Sequence, residues 1–174
     1  PDMNAEIRLA LEEDAQTLAL LGAETFIATF GHLYGEKDLN YFLEKNHTAG
    51  AYAALLRDPE YGLWLAVSPS GEAIGYAVAG PCSLPVPDCP ANAGELSRLY
   101  LKKGVQGGGI GAKLLEAALD FLRDRFDHIY LSVYAENAVA QRLYHRFGFV
   151  KIHDYFYMVG DHSDPEWIME LKDQ

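Results

Sequence analysis

The sequence predicts a single domain of the α/β (α+β) class, and three observations carry that expectation. A chain of 174 residues is the size of one domain. Segments with the period of a strand alternate along it with segments of helical period. A glycine-rich turn, Gly107-Gly108-Gly109-Ile110-Gly111, joins a strand pattern to the strongest helical pattern in the chain. With 49% hydrophobic residues there is enough apolar side chain for a real core.

The elements read in order. Ile7-Arg8-Leu9 alternates like a short first strand. Glu12, Glu13 and Asp14 open a helical pattern at the end where the helix dipole favours acids, and Leu18, Leu21, Ala23 and Phe26 continue its apolar side. The pattern breaks after Phe30-Gly31. Residues 38–43 and 48–56 read as two short helices. Residues 61–67 and 73–79 read as strands joined by the turn Pro69-Ser70-Gly71, a hairpin. Pro81, Pro85, Pro87 and Pro90 mark residues 81–94 as a loop. Residues 95–101 read as a strand and 110–126 as a helix, with Ile110, Leu114, Leu115, Ala118, Phe121 and Leu122 on one side. A strand over 128–133 follows, then a helix over 138–147 that Gly148 caps. Residues 149–159 make one or two strands and 167–171 a last one.

Bulk properties exclude several functions. The net charge is −11, from 25 acidic and 14 basic residues, which argues against a nucleic-acid partner. The acid excess suits solubility or attraction of a cationic substrate. No apolar run approaches the ~20 residues that span a bilayer, so no membrane role is expected. The first residues show no basic stretch followed by an apolar one, which favours a cytoplasmic location over secretion. Cys82 and Cys89 read as reduced thiols, with pairing left open. The six histidines have no metal-ligand spacing, so no metal is expected.

The glycine turn is the most informative stretch. Glycines let a backbone approach a ligand closely, and the N–H groups of a first helical turn then face an anion. Such a cradle suits a pyrophosphate and needs no basic side chain. The bland alternative is a tight turn and nothing more. Gly107-x-Gly109-x-x-Ala112 formally fits a dinucleotide fingerprint, with Glu136 placed for a ribose, but too little chain follows for a doubly wound sheet. A Walker A loop fails because Lys113 precedes Leu114, not Ser or Thr.

Two motifs carry a family resemblance. Gln106-x-x-Gly109-x-Gly111 after a strand resembles the coenzyme A pyrophosphate loop of the GNAT superfamily of N-acetyltransferases. Asn137-x-x-Ala140-x-x-Leu143-Tyr144-x-x-x-Gly148-Phe149 is similar to that family's next block. The resemblance covers residues 61–159 well and the N-terminal helices more loosely. It implies the GNAT fold over residues 1–174: a mixed, twisted sheet of about six to seven strands with helices on both faces. It also implies acetyl-coenzyme A as co-substrate, gripped by a core at about residues 94–150.

Site residues follow from the same resemblance. Leu99, Tyr100 and Leu101 line the pantetheine arm where two strands splay apart, and the Leu99 N–H polarises the thioester oxygen. Gln106, Gly107, Gly108, Gly109, Ile110 and Gly111 hold the pyrophosphate. Asn137, Ala140 and Tyr144 meet the same ligand from a second helix, on which Asn137 and Tyr144 share a face two turns apart. Tyr144 is expected to protonate the departing thiolate. The expected base is Glu95, acting directly or through water, with binding of the ammonium as the alternative role; strand alternation puts it on one face with Ser97, Leu99 and Leu101. Phe30, His32 and Tyr34 are expected acceptor contacts.

A finer resemblance concerns the acceptor. Glu24-Thr25-Phe26-x-x-Thr29-Phe30 and Phe156-Tyr157-Met158-Val159-Gly160-Asp161, followed by Ile168-Met169, resemble PaiA-type spermine/spermidine acetyltransferases of bacteria. They imply a polyamine acceptor, with Asp154, Asp161, Asp164 and Glu166 around its groove. An amino acid, a peptide N-terminus or an amine antibiotic is the alternative acceptor, and a non-catalytic acyl-coenzyme A-binding module is the alternative from another class. A small-molecule amine is thus the expected partner, with a homodimer left open.

Overall fold

The computed structural model describes residues 4–105 and 107–172. The strands are β1 (Glu6–Leu9), β2 (Gly62–Val67), β3 (Ala73–Pro81), β4 (Ala93–Leu101), β5 (His128–Tyr134), β6 (Phe149–Val159) and β7 (His162–Leu171). The helices are α1 (Ala15–Phe30), α2 (Glu36–Asn46), α3 (Ala49–Arg57), α4 (Ile110–Arg125) and α5 (Ala138–Arg146). One seven-stranded sheet runs in the order β1-β2-β3-β4-β5-β7-β6. Neighbours are antiparallel except β4 and β5, which are parallel and joined through α4. The expected strand–helix–strand unit is therefore present, and the sheet is mixed as the resemblance implied.

Alternation along the central strands sorts the core into two layers. Trp64, Ala66, Ala77 and Ala79 pack with Leu114, Leu115, Ala118, Leu119 and Leu122 of α4 and with Tyr144 of α5. Leu63, Leu65, Tyr76 and Val78 pack with Leu18, Leu21 and Tyr52 of α1 and α3. Helices thus cover both faces. Each α4 leucine named is fully buried, worth ~1.5–3 kcal/mol. A third cluster, Phe26, Phe30, Tyr34 and Val159, extends the α1 side toward the β6–β7 hairpin.

One strand's alternation and one strand's boundary differ from the sequence reading for physical reasons. β4 contains a bulge, where Val78 faces Arg98 but Ala79 faces Leu96, so Ser97 is the extra residue. The strict alternation expected for Glu95, Ser97, Leu99 and Leu101 is thereby broken. Leu96, Leu99 and Leu101 pack on the α4 side, whereas Tyr100 packs on the α1 side and Arg98 lies against Tyr52 of α3. The last strand begins at His162 rather than 167, because residues 162–166 pair with β6 despite their polar sequence.

Candidate functional site

Leu96 and Leu131 make the last described pair between β4 and β5. Past that point β4 stays bonded to β3 as far as Leu101, and β5 stays bonded to β7 as far as Tyr134. The two strands therefore diverge, and a wedge opens beside residues 97–101. Lys102 donates its backbone N–H to Ile74 O of β3 at 2.8 Å. Alternation sends the Tyr100 N–H the same way and the Leu99 N–H into the wedge.

The turn above the wedge is built from glycines with left-handed backbone: Gly104 (φ 94°), Gly107 (φ 91°) and Gly109 (φ 80°). A Cβ on Gly107 or Gly109 would meet no atom of the described residues beyond its chain neighbours within 4 Å, so the turn presents backbone outward. Gly109 is the N-cap of α4 and provides no side-chain cap. The first N–H groups of α4 consequently face outward at the positive end of a 16-residue helix dipole. This cradle fits a pyrophosphate. Gln106 lies outside the described residues. Gly108 is half-buried on the same turn and Gly111 packs against Leu143 of α5.

From α5, Asn137 caps its own helix by accepting a hydrogen bond from Ala140 N at 3.2 Å. Ala140 and Leu143 pack on the α4-side core. Tyr144 is buried, with its ring edge-on to Phe149 at 6.0 Å. Burial holds its phenol well above the ordinary range, with a further push from Tyr100, so it carries its proton at neutral pH.

The other face of the wedge holds carboxylates and tyrosines. Glu95 is 6% exposed, and its Oε1 accepts from Ser83 N at 2.8 Å and Ser83 Oγ at 3.3 Å. Burial raises its carboxyl, against the pull of those hydrogen bonds and of Arg98. On β7, Glu166 accepts from Ser132 Oγ at 2.7 Å, and Tyr155 OH lies 2.7 Å from that same oxygen. Burial pushes the Glu166 carboxyl up to about 7, with Asp164 adding and Ser132 opposing. Asp164 is fully enclosed, accepting from the Tyr34 hydroxyl and from His162 Nε2 at 2.8 Å.

The sequence candidates divide. Phe30 and Tyr34 are buried together around Phe26, and Phe30 meets Tyr134 of β5 edge-on at 5.8 Å. His32 is exposed on the turn Gly31–Leu33 and does not join them. Asp164 and Glu166 face inward, whereas Asp161 is exposed and Asp154 pairs with Lys151 in solvent. Tyr100 belongs to the α1 face, so its side chain is on the opposite side of the sheet from α4. Sequence reasoning missed Arg98, which the bulge brings onto the same face as Glu95. It also missed the polar relay of His47, Tyr52 and Tyr76 beneath Arg98 (His47 Nδ1 to Tyr52 OH 2.9 Å, Tyr52 OH to Tyr76 OH 3.3 Å). Cys82 and Cys89 are free thiols. Among the described residues, no group of three or more His, Cys, Asp or Glu is placed to hold a metal ion, and no helix is long and apolar enough to cross a membrane.

Comparison with known proteins gives the family and the overall fold. The Acetyltransferase (GNAT) family model matches residues 23–149. A PaiA N-acetyltransferase from Thermoplasma acidophilum, solved in complex with coenzyme A, superposes with a TM-score of 0.76 at 25% identity, over 98% of this chain and 99% of that one. An uncharacterised N-acetyltransferase of Lactobacillus delbrueckii subsp. lactis is 26% identical over 161 residues, 91% of this chain and 92% of its own. A spermine/spermidine N(1)-acetyltransferase of Bacillus subtilis is 36% identical over 83 residues, only 45% of this chain and 53% of its own.

Proposed function

Because the chain belongs to the GNAT acetyltransferase family and is thus an acetyl-coenzyme A-dependent N-acetyltransferase, we propose that it acetylates the primary amine of a small molecule by direct attack in the β4–β5 wedge. The observation that carries this reading is the wedge itself, which opens past Leu96 between a glycine cradle on one side and the buried Glu95 and half-buried Glu166 on the other.

Acetyl-coenzyme A supplies the activated acetyl group. The chain supplies the rest. N–H groups at Gly107 to Gly111 and the start of α4 hold the pyrophosphate. Leu99 N–H donates to the thioester oxygen, a preorganised contact typically worth ~3–4 kcal/mol as charge develops there. Tyr144, held protonated by burial, donates to the leaving sulfur. Glu166 removes the amine proton. A carboxyl near 7 is better matched to that task at neutral pH than an ordinary glutamate. Glu95, the base the sequence suggests, is held by Ser83 through both its N–H and its hydroxyl and is left out of the proton transfer.

For the acceptor, sequence and structure pull apart. The terminal blocks, the −11 charge and the partial likeness to the Bacillus enzyme favour a polyamine. Arg98 favours an amine that bears its own anion. Amine-dependent release of coenzyme A thiol, measured across polyamines, amino acids, peptides and aminoglycosides, tests the proposal. A non-catalytic binding module would bind acetyl-coenzyme A and release no thiol with any amine.

A further inference from the structure

Arg98 is the one described residue with a buried side-chain nitrogen, Nη1, that has no hydrogen-bond partner. Its guanidinium lies over the Tyr52 ring, 5.3 Å from the centroid. The Tyr52 hydroxyl, which also meets His47 and Tyr76, favours the charge by a hydrogen bond to the guanidinium, but it is neutral and leaves Nη1 without a partner. Glu95, the carboxylate that shares its strand and feels its field, is turned to Ser83 and forms no ion pair with it. An arginine is always charged, and a buried guanidinium without a counter-ion is costly. Native proteins pair almost every such group, so the exception calls for an absent partner.

The surroundings say what kind. Arg98 follows the bulge at Ser97 and immediately precedes Leu99, so it flanks the reacting end of the wedge. The Tyr100 and Tyr157 phenols feel both its field and that of Glu166. The α1 face therefore has a positive pole at Arg98 and a negative pole at Glu166 and Asp164, and Tyr100 and Tyr157 feel both signs. A polyamine would place a second cation against the positive pole. A molecule with an amine at one end and a carboxylate at the other matches both poles.

We propose that Arg98 is an anion-binding subsite of the acceptor cleft, and that the acceptor is a small primary amine carrying a carboxylate. This rests on acetyl transfer to an amine and stands against a polyamine acceptor. The amine docks by Glu166. The carboxylate docks on Arg98 in the bidentate geometry a guanidinium offers.

The test compares acceptors matched in length. Glycine, β-alanine, γ-aminobutyrate and δ-aminovalerate are each set against the alkylamine and the diamine of the same chain length. For the best length, kcat/KM of the amino acid should exceed both by about 10–100-fold, the value of one charged hydrogen-bonded contact. Arg98→Gln should collapse that ratio toward one, and Arg98→Lys, which keeps the charge and guards against a folding defect, should restore part of it. Butyrate, which has no amine to acetylate, should raise the melting temperature of the wild type and not of Arg98→Gln. A diamine or alkylamine used as well as every amino acid, or a butyrate shift indifferent to Arg98, overturns the subsite. If no amine is acetylated at all, the transferase reading fails, and the butyrate arm still decides Arg98.

Discussion

Leu96 faces Leu131, and past this pair β4 and β5 part while each keeps its outer neighbour. That divergence places a backbone donor, Leu99 N–H, between the α4 face with its glycine cradle and the α1 face with its carboxylates. Four further expectations follow from this arrangement.

Glu166→Gln should lower kcat by ~10²–10⁴-fold, the span of a general base. In the wild type, kcat/KM should rise with pH through a pKa near 7 and then level, because the ionised carboxylate is the active form. Stability should move the opposite way. The folded state binds this proton more tightly than the unfolded chain, so stability declines as pH rises from about 4.5 to about 7. The shift is worth at most ~3 kcal/mol at 1.36 kcal/mol per unit. Denaturant titrations across that range should show the decline in the wild type and a smaller one in Glu166→Gln. A pH–rate profile unaltered by the substitution would remove Glu166 from the chemistry.

Tyr144→Phe should reduce turnover by a similar ~10²–10⁴-fold while coenzyme A affinity stays nearly constant, since the buried ring is retained. Single-turnover rates and calorimetric binding separate the two effects. A wild-type rate would reduce Tyr144 to packing against Phe149.

Gly109→Val tests the cradle. Its left-handed φ of 80° is a strained conformation for a β-branched residue, costing ~1–2 kcal/mol of stability. A Cβ at this position meets no described atom within 4 Å, so a larger effect on coenzyme A binding reports on the ligand. Coenzyme A affinity should fall by at least ~10-fold, the loss of about 1.4 kcal/mol of backbone contact. A folded variant with unchanged affinity would move the pyrophosphate elsewhere.

Tyr34→Phe removes one of the two described donors to the buried Asp164 carboxylate. A loss of ~1–3 kcal/mol is expected in chemical denaturation. Acceptor KM should rise with coenzyme A binding intact, because the cluster of Tyr34, Asp164 and His162 borders Glu166 and not the glycine turn.

Much of this was legible in the sequence, and the exceptions share a cause. The apolar stripe from Ile110 to Leu122 and the glycines before it carry their geometry locally, as period and backbone freedom. Gly148, at φ 99°, ends α5 as its composition suggested. The bulge at Ser97 has no local signature, since β3 imposes it through register, and it takes Glu95 off the face of Leu99 and Leu101 and onto that of Arg98. Residues 162–166 look like a polar loop, yet the β6 hairpin draws them into the sheet and puts Asp164 and Glu166 inside. The glycine turn was readable because it is a local motif; the surroundings of Asp164 and Glu166 were not, because pairing between distant strands assembles them.

The most direct measurement is release of free coenzyme A thiol from acetyl-coenzyme A with and without amine, together with mass spectrometry of the acceptor. The account predicts saturable, amine-dependent release with one acetyl group on the acceptor nitrogen, abolished together with Glu166 and Tyr144. Tight binding of acetyl-coenzyme A with thiol release no faster in the presence of any amine would contradict it.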